Sequence, residues 1–136
     1  MTAALPASST SLTHPDLPGS IRICGMDPSL NNWGWCLGHY ELSTKKITIS
    51  QVGLTQPVLL QQKQARVNSG DIYRANQLSS KAVQVIKQAQ VTFVEVPIGS
   101  QNARSMASYG ICIGILGTLR AGGLSFFEVY EQESKL

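Results

Sequence analysis

The sequence predicts an α/β fold: one mixed five-stranded sheet flanked by helices, in the order β-β-β-α-β-α-β. Three observations predict it. The chain has 136 residues, enough for one domain with its own core and too few for two. Three apolar segments joined by short links come first. Two further apolar segments then alternate with segments of helical periodicity, as in a sheet covered by helices.

The first residues of the chain differ in composition from the rest. Residues 1–20 are rich in Ser, Thr, Pro and Ala and show no apolar periodicity, so we expect a disordered leader there. His14 and Asp16 fall within it, and we expect no structured role for either. Residues 21–136 are expected to form the single folded domain.

Three strands are predicted after the leader. Residues 21–27, IRICGMD, are apolar on both faces, as expected of a central strand, and Pro28 ends it because proline cannot donate to a ladder. A second strand is predicted in NWGWCLGHYEL, residues 32–42. In KKITISQVGL, residues 45–54, alternation places Ile47 and Ile49, with Val52 a further candidate, on one face. The short links favour an antiparallel meander.

The second half of the chain predicts two helices and two strands. The first helix has Ser69 or Asp71 as its cap and one apolar stripe at helical spacing: Ile72, Ala75, Ser79, Ala82, Val83, Ile86 and Ala89. VTFVEVP, residues 91–97, predicts a fourth strand ended by Pro97. Residues 102–121 predict the second helix, and LSFFEVY, residues 124–130, the fifth strand.

Small and aromatic residues give further expectations about packing. The second helix contains Gly110, Gly114 and Gly117, each about 1 kcal/mol worse than alanine there, so we expect close packing onto the sheet to offset that cost. A face for a second subunit is the alternative. Trp33 and Trp35 bracket a glycine, and at least one is expected in the core, base stacking being the alternative.

Composition narrows the class of protein. Eleven Lys and Arg against eight Asp and Glu give a formal charge of +3, which permits a nucleic-acid partner without requiring one. The three cysteines, Cys24, Cys36 and Cys112, lie in apolar runs without zinc-site spacing and predict buried thiols in a reducing compartment. No segment has the length of a membrane span, and the N-terminus has neither a signal-peptide nor a transit-peptide pattern.

Two acids occupy matching positions at strand ends. The first strand ends in GMDP with Asp27, and the fourth ends in VEVP with Glu95. A right-handed crossover through the first helix would place these strands side by side and parallel, with both carboxylates at one sheet edge. Such a pair favours a proton or a cation, and its oxygen ligands suit Mg²⁺ or Mn²⁺. The alternatives are an Asx turn at Asp27 and a solvated Glu95.

The segments ICGMDPSLNNWGWCLG and FVEVPIGSQNA resemble the RuvC-type Holliday-junction resolvases, most closely the phage-encoded branch. The resemblance covers residues 21–130. It implies a ribonuclease-H-like fold, a homodimer acting on four-way junction DNA, and cleavage with two Mg²⁺ ions held by four acids. Asp27 and Glu95 match the first two of those acids, both as catalytic residues and as metal ligands. The family has no small-molecule cofactor, and the resemblance implies a cytoplasmic protein, in a host's cytoplasm if phage-encoded.

The other two acids of the family lie on a helix after the fifth strand, and this chain stops near where that helix would start. Glu128, Glu131 and Glu133 are the acids near its end. Glu128 lies within the fifth strand, whereas Glu131 and Glu133 are expected to be solvated. We therefore expect the final catalytic helix to be missing, either because the chain is a fragment or because part of the site is lost.

Six residues near these acids are candidates for DNA binding: Ser100, Gln101, Asn102, Arg104, Lys63 and Arg66. The first four open the second helix, whose N-terminus suits phosphate oxygens, with Arg104 adding a charge-assisted contact. Helix capping by Ser100 or Asn102 and a solvated Arg104 are the alternatives. Lys63, Arg66 and Arg74 would form a basic rim, unless Arg66 pairs with Asp71.

The sequence thus favours a metal-dependent endonuclease that cleaves branched DNA in recombination, repair or phage DNA processing. The first alternative is a non-catalytic module that binds branched DNA or dimerises, with a degenerate metal site. A sugar-kinase or actin-like ATPase lobe ranks last, because the chain is too short for the second lobe such proteins need.

Overall fold

The computed structural model describes residues 14–59, 66–99 and 102–131. The described elements follow the predicted order. They are β1 (Ser20–Asp27), β2 (Trp33–Glu41), β3 (Ile47–Thr55), α1 (Val67–Ile86), β4 (Val91–Glu95), α2 (Ala103–Ala121) and β5 (Phe127–Val129).

The five strands form one sheet in the order β3-β2-β1-β4-β5. The β1–β2 and β2–β3 pairs are antiparallel, which confirms the predicted meander. The β1–β4 and β4–β5 pairs are parallel, because α1 and α2 carry the chain back across the sheet. The crossover predicted from the sequence therefore places β4 directly beside β1, in the centre of the sheet.

One hydrophobic core lies between the sheet and the two helices. β1, β2 and β4 contribute Cys24, Leu37 and Val94, all at most 1% exposed. The helices contribute a larger set to the same cluster: Leu78, Ala82, Val85 and Ile86 from α1, and Cys112, Ile115, Leu116 and Leu119 from α2. Both helices therefore cover the same face of the sheet.

Helix α1 differs from its prediction at its start and in its buried stripe. It begins at Val67, with Arg66 as an extended N-cap residue whose side chain makes no capping hydrogen bond. The predicted caps Ser69 and Asp71 are wrong, since both lie inside the helix. Ile72 is 71% exposed, because the buried stripe is centred one position away from the predicted one.

The opposite face of the sheet is apolar and exposed. Ile47 and Ile49 do share a face, and the register shift between β2 and β3 brings Val52 onto it as well. That face is the uncovered one, and Val52 is 77% exposed. A shallow cavity of about 300 Å³ on the same face is lined by Ile21, Ile23, Tyr40, Ile47, Val91 and Phe93.

The segment just before β1 is packed onto the sheet. His14 is buried, its Nε2 lies 2.6 Å from the Gly38 carbonyl oxygen, and its ring contacts that of His39. Asp16 pairs with Arg22 at 2.7 Å. The expectation that His14 and Asp16 have no structured role is wrong. The first thirteen residues of the predicted leader lie outside the described residues.

The glycines of α2 lie on its exposed side. A methyl group added at Gly110, Gly114 or Gly117 would meet no atom within 4 Å, so the expectation that they pack onto the sheet is wrong. The opposite holds at Gly53, where a Cβ would overlap the ring of Trp35. Glycine at that position lets the indole lie across β3.

The prediction of a tryptophan in the core is confirmed, and Cys24 and Cys112 are buried as predicted, whereas Cys36 is partly exposed. Trp33 is 1% exposed, and its Nε1–H contacts the Met26 sulfur at 3.4 Å, which places it in the core. The three cysteines are free thiols. Burial raises the pKa of Cys24 to about 12 and that of Cys112 to about 11, so both stay neutral, as small apolar side chains do. Neither helix in the described ranges is long and apolar enough to cross a membrane.

Candidate metal and nucleic-acid site

The two strand-end acids come together at the carboxyl edge of the sheet. Met26 of β1 is paired with Val94 of β4 in parallel register, so the next residues along, Asp27 and Glu95, are neighbours across the two strands. Met26 and Val94 point into the core, and side chains alternate along a strand. Asp27 and Glu95 therefore project to the same side of the sheet.

Both acids line one cavity of about 230 Å³. Its wall continues through the two loops that leave the strands, with Pro28 and Ser29 after β1, and with Val96, Pro97, Ile98 and Gly99 after β4. Tyr109 of α2 and Glu131 complete it. Pro28 directly follows Asp27, whereas Val96 lies between Glu95 and Pro97 and still donates its backbone N–H to the Val129 carbonyl oxygen at 2.8 Å. Each proline lacks the N–H that would extend its strand further, so both loops leave the sheet at the cavity.

The electrostatics of the pair favour a positive ligand. Desolvation raises the pKa of Asp27 above its usual range, and the negative charge of Glu95 raises it further. A carboxylate perturbed in this way is stabilised by a proton or a cation placed between the two acids. The donors are carboxylate oxygens, which suit Mg²⁺ or Mn²⁺.

The turn that follows Asp27 is held by a network from helix α1. Arg74 donates to Asn31 Oδ1 at 2.8 Å and also pairs with Asp71. The Arg74 and Asp71 side chains are only 11% and 18% exposed. Asp71 therefore pairs with Arg74 and not with Arg66, the alternative that the sequence offered, and Arg74 ties the turn to α1. Leu30, 3% exposed, anchors the same turn in the core.

The loop after β4 needs one residue without a side chain. Gly99 has a φ of 109°, a conformation that strains any residue with a Cβ. A Cβ there would also press on the Met106 sulfur at 3.2 Å. The loop thereby passes close to the start of α2 while its other residues line the cavity.

A second cavity, of about 270 Å³, adjoins the first. Ser29 and Tyr109 line both. The second is otherwise lined by Leu30 and Asn31 from the β1–β2 turn and by Arg104, Ser105 and Ser108 from α2. The two cavities form one groove along the carboxyl edge, with Tyr109 between them.

The predicted DNA-binding residues have different positions. Arg104 lines the second cavity. The Asn102 side chain accepts hydrogen bonds from the backbone N–H groups of Arg104 and Ser105, so it serves as the cap of α2. Arg66 is exposed at the start of α1 and lines neither cavity. Ser100, Gln101 and Lys63 lie outside the described residues.

Sequence reasoning missed several residues of this groove. Ser105, Ser108 and Tyr109 lie on the same helical stripe as the buried residues Cys112 and Leu116, one and two turns earlier. Polar residues that extend an apolar stripe were the available signal. Glu131 lines the first cavity, so its assignment as a solvated tail residue is wrong. Glu128 instead faces Arg120, at 3.7 Å.

The carboxylates that could hold a metal ion at this site are the pair Asp27 and Glu95. Within residues 14–59, 66–99 and 102–131, no three His, Cys, Asp or Glu side chains are arranged to hold a metal ion. The adjacent pair Asp27 and Glu95 nevertheless fits Mg²⁺, which proteins often bind through one or two carboxylates together with substrate phosphates and water.

Comparisons with known proteins identify the fold. No family model matches the chain, and no curated protein matches it in sequence. Among solved structures it is similar to T. thermophilus RuvC in complex with a Holliday junction substrate, with a TM-score of 0.60 and 12% identity over 82% of this chain. A second Thermus thermophilus RuvC structure is similar with a TM-score of 0.57 and 13% sequence identity over 81% of this chain.

The chain spans 64% of the length of either RuvC chain. At this identity the similarity concerns the fold. The mixed five-stranded sheet flanked by helices is the RuvC-like, ribonuclease-H-like fold, as the sequence predicted.

Proposed function

We propose that the protein is a divalent-metal-dependent endonuclease that cleaves branched DNA of the four-way junction type. One observation carries the proposal: Asp27 and Glu95 are neighbours at the carboxyl edge of the two central parallel strands. In open α/β sheets, ligands bind at this edge. The RuvC-like fold adds support, since the similar RuvC structure holds a Holliday junction substrate.

The chain's own residues would bind and orient the DNA. Asp27 and Glu95 would hold Mg²⁺ or Mn²⁺, which when bound supplies Lewis-acid activation and charge neutralisation for phosphodiester hydrolysis. Tyr109 and the loop of residues 96–99 would exclude bulk water on the other sides of the cavity. Arg104, exposed along the same groove, would attract the phosphate backbone.

The junction substrate also suggests the assembly and the setting. A four-way junction has approximate two-fold symmetry, so a homodimer would present two such sites to the two strands that must be cut. We propose recombination, repair or phage DNA processing as the process, in the cytoplasm and without a small-molecule cofactor. DNA contacts by Asn102, Arg66, Lys63, Ser100 and Gln101 belong to the same proposal.

A second candidate is a module that binds branched DNA without cutting it. The observation in its favour is that the described residues hold no three-ligand metal group. Two carboxylates alone would bind Mg²⁺ weakly, and cleavage would then be slow.

A direct comparison of substrates separates the two functions. The protein is incubated with a four-way junction and with a linear duplex of the same sequence, in Mg²⁺ or in EDTA. The nuclease proposal expects symmetric nicks in the junction that disappear in EDTA and in Asp27→Asn, but persist in Asp16→Asn, a matched loss of one carboxylate elsewhere. Tight junction binding without cleavage in Mg²⁺ or Mn²⁺ rejects the enzyme and supports the module. Absence of junction binding rejects both.

A further inference from the structure

The second cavity differs in chemistry from the first, although they share a wall. Asp27, Glu95 and Glu131 line the first cavity. The described lining of the second contains no carboxylate and offers Arg104, Asn31 and serine hydroxyls. The groove is therefore acidic on one side of the shared residues Ser29 and Tyr109 and rich in hydrogen-bond donors on the other.

The donors of the second cavity are available to a ligand. Asn31 Oδ1 accepts from Arg74, which leaves the amide N–H₂ of Asn31 as the group able to donate outward. Arg104 makes no ion pair with any described residue, and its side chain is exposed. The Ser105 hydroxyl, half-buried against the groove, makes no hydrogen bond within the described ranges.

The second cavity does not depend on the backbone N–H groups at the N-terminus of α2. Asn102 Oδ1 already accepts from Arg104 N at 2.9 Å and from Ser105 N at 3.3 Å. The remaining donors are side chains from two elements, the turn after β1 and the first two turns of α2. Arg74, itself paired with Asp71, holds that turn through Asn31, so the donors from both elements line one cavity.

We infer that the second cavity is a subsite for the phosphodiester next to the one held at Asp27 and Glu95, on the same DNA strand. Arg104 supplies charge, and Asn31 and Ser105 supply neutral hydrogen bonds, as expected for backbone contacts that position without reading sequence. Tyr109 separates the two phosphates and so sets which linkage reaches the acids. The inference deepens the proposed function and rests on it for the identity of the ligand as DNA.

Phosphate ethylation interference tests the subsite without needing cleavage. Junction DNA ethylated at single phosphates is bound in EDTA, and ethylated positions missing from the bound fraction mark phosphates that the protein contacts. Wild-type protein is expected to show interference at the phosphate held in the second cavity and at phosphates elsewhere on the junction arms. Arg104→Gln and Ser105→Ala are expected to lose it at the first and keep it at the others. Lys87→Gln and Ser80→Ala, matched changes on α1, should leave the pattern unchanged.

Affinity and its salt dependence separate the charged contact from the neutral one. Arg104→Gln should bind the junction about tenfold more weakly and lower the slope of log affinity against log salt by about 0.9, one phosphate contact. Ser105→Ala should bind about threefold more weakly with the slope unchanged, because a neutral donor releases no counterion.

Three outcomes would overturn the inference. The first is an interference pattern that neither variant changes, and the second is a uniform loss at every phosphate. The third is interference lost at a phosphate that is not next to the cleaved one, once Mg²⁺ cleavage has been mapped. Failure of the nuclease proposal looks different, because the protein would then show the interference pattern in EDTA but no nicks in Mg²⁺.

Discussion

Replacing Asp27 with asparagine should change stability in opposite directions with and without Mg²⁺. In EDTA, Asp27 and Glu95 are like charges on neighbouring strands, and such pairs destabilise a sheet by roughly 0.2–1 kcal/mol. We expect Asp27→Asn to raise the free energy of unfolding by about 0.5 kcal/mol at neutral pH.

The sign follows from the direction of the pKa shift. Desolvation and Glu95 raise the pKa of Asp27 in the folded state, so the folded protein binds the proton more tightly than the unfolded chain does. Stability therefore falls as pH rises from the unfolded pKa through the folded pKa, and the whole cost of ionisation is present above the folded pKa. Asparagine removes that cost.

Mg²⁺ should reverse which of the two proteins, wild type or Asp27→Asn, is the more stable. A ligand that binds only the folded state at ten times its Kd stabilises that state by about 1.4 kcal/mol. Wild-type protein has both carboxylates and should gain this amount. Asp27→Asn has one of the pair and should gain little, so it becomes the less stable protein.

Urea unfolding in EDTA and in millimolar MgCl₂, at matched ionic strength, measures both effects. Asp16→Asn is the control, because it removes a carboxylate that is 84% exposed and pairs with Arg22. Its response to Mg²⁺ should equal that of wild type. An equal gain from Mg²⁺ in Asp27→Asn, or no gain in wild type, would refute a cation site at this pair.

Three further substitutions test the packing. Gly114→Ala should raise the free energy of unfolding by about 1 kcal/mol, because nothing lies within 4 Å of the added methyl; a loss measured in urea would show that this side of α2 is covered. Gly53→Ala should lower the free energy of unfolding by roughly 1–3 kcal/mol, because the added Cβ would overlap the Trp35 ring. An unchanged thermal unfolding temperature would contradict that contact. His14→Ala should lower the free energy of unfolding by about 1 kcal/mol, because the hydrogen bond to Gly38 is lost. Limited proteolysis should then cut the segment before β1 faster while the core stays intact, and an unchanged cleavage rate there would contradict the contact.

The sequence was most informative where backbone chemistry and topology act together. Pro28 and Pro97 end two apolar strands just past an acid, and right-handed crossovers are nearly universal in such sheets. These facts sufficed to bring Asp27 beside Glu95. The parallel register from Met26 to Val94 agrees with that reasoning.

Alternation along a strand was less informative, because it groups residues without saying which face is covered. Ile47 and Ile49 share a face as predicted, yet that face is exposed and the helices cover the other. The same limit applies to α2, whose small residues were expected to pack and instead lie outside. Which side of an element is buried depends on neighbours far away in sequence.

Weak local signals account for the remaining misses. Helix α1 starts without a side-chain cap, and the cap-type residues Ser69 and Asp71 pointed to a later start. Tyr109 and Glu131 reach the acids through the tertiary fold, from α2 and from the residues after β5. The signal for Tyr109 was its place on the buried stripe of α2, whereas no local pattern marks Glu131 as part of the site.

The central claim is that Asp27 and Glu95 act as one cation site for junction cleavage. Single-turnover cleavage of a four-way junction in Mg²⁺ by Asp27→Asn, Glu95→Gln and the double variant tests it most directly. Glu128→Gln serves as control, since Glu128 faces Arg120 instead. Each single variant should be at least about a hundredfold slower, and the double variant no slower than the slower single, because the acids act as a unit. The claim would be contradicted if the rate losses of the two single variants multiplied in the double variant, or if Glu95→Gln cleaved the junction at the wild-type rate.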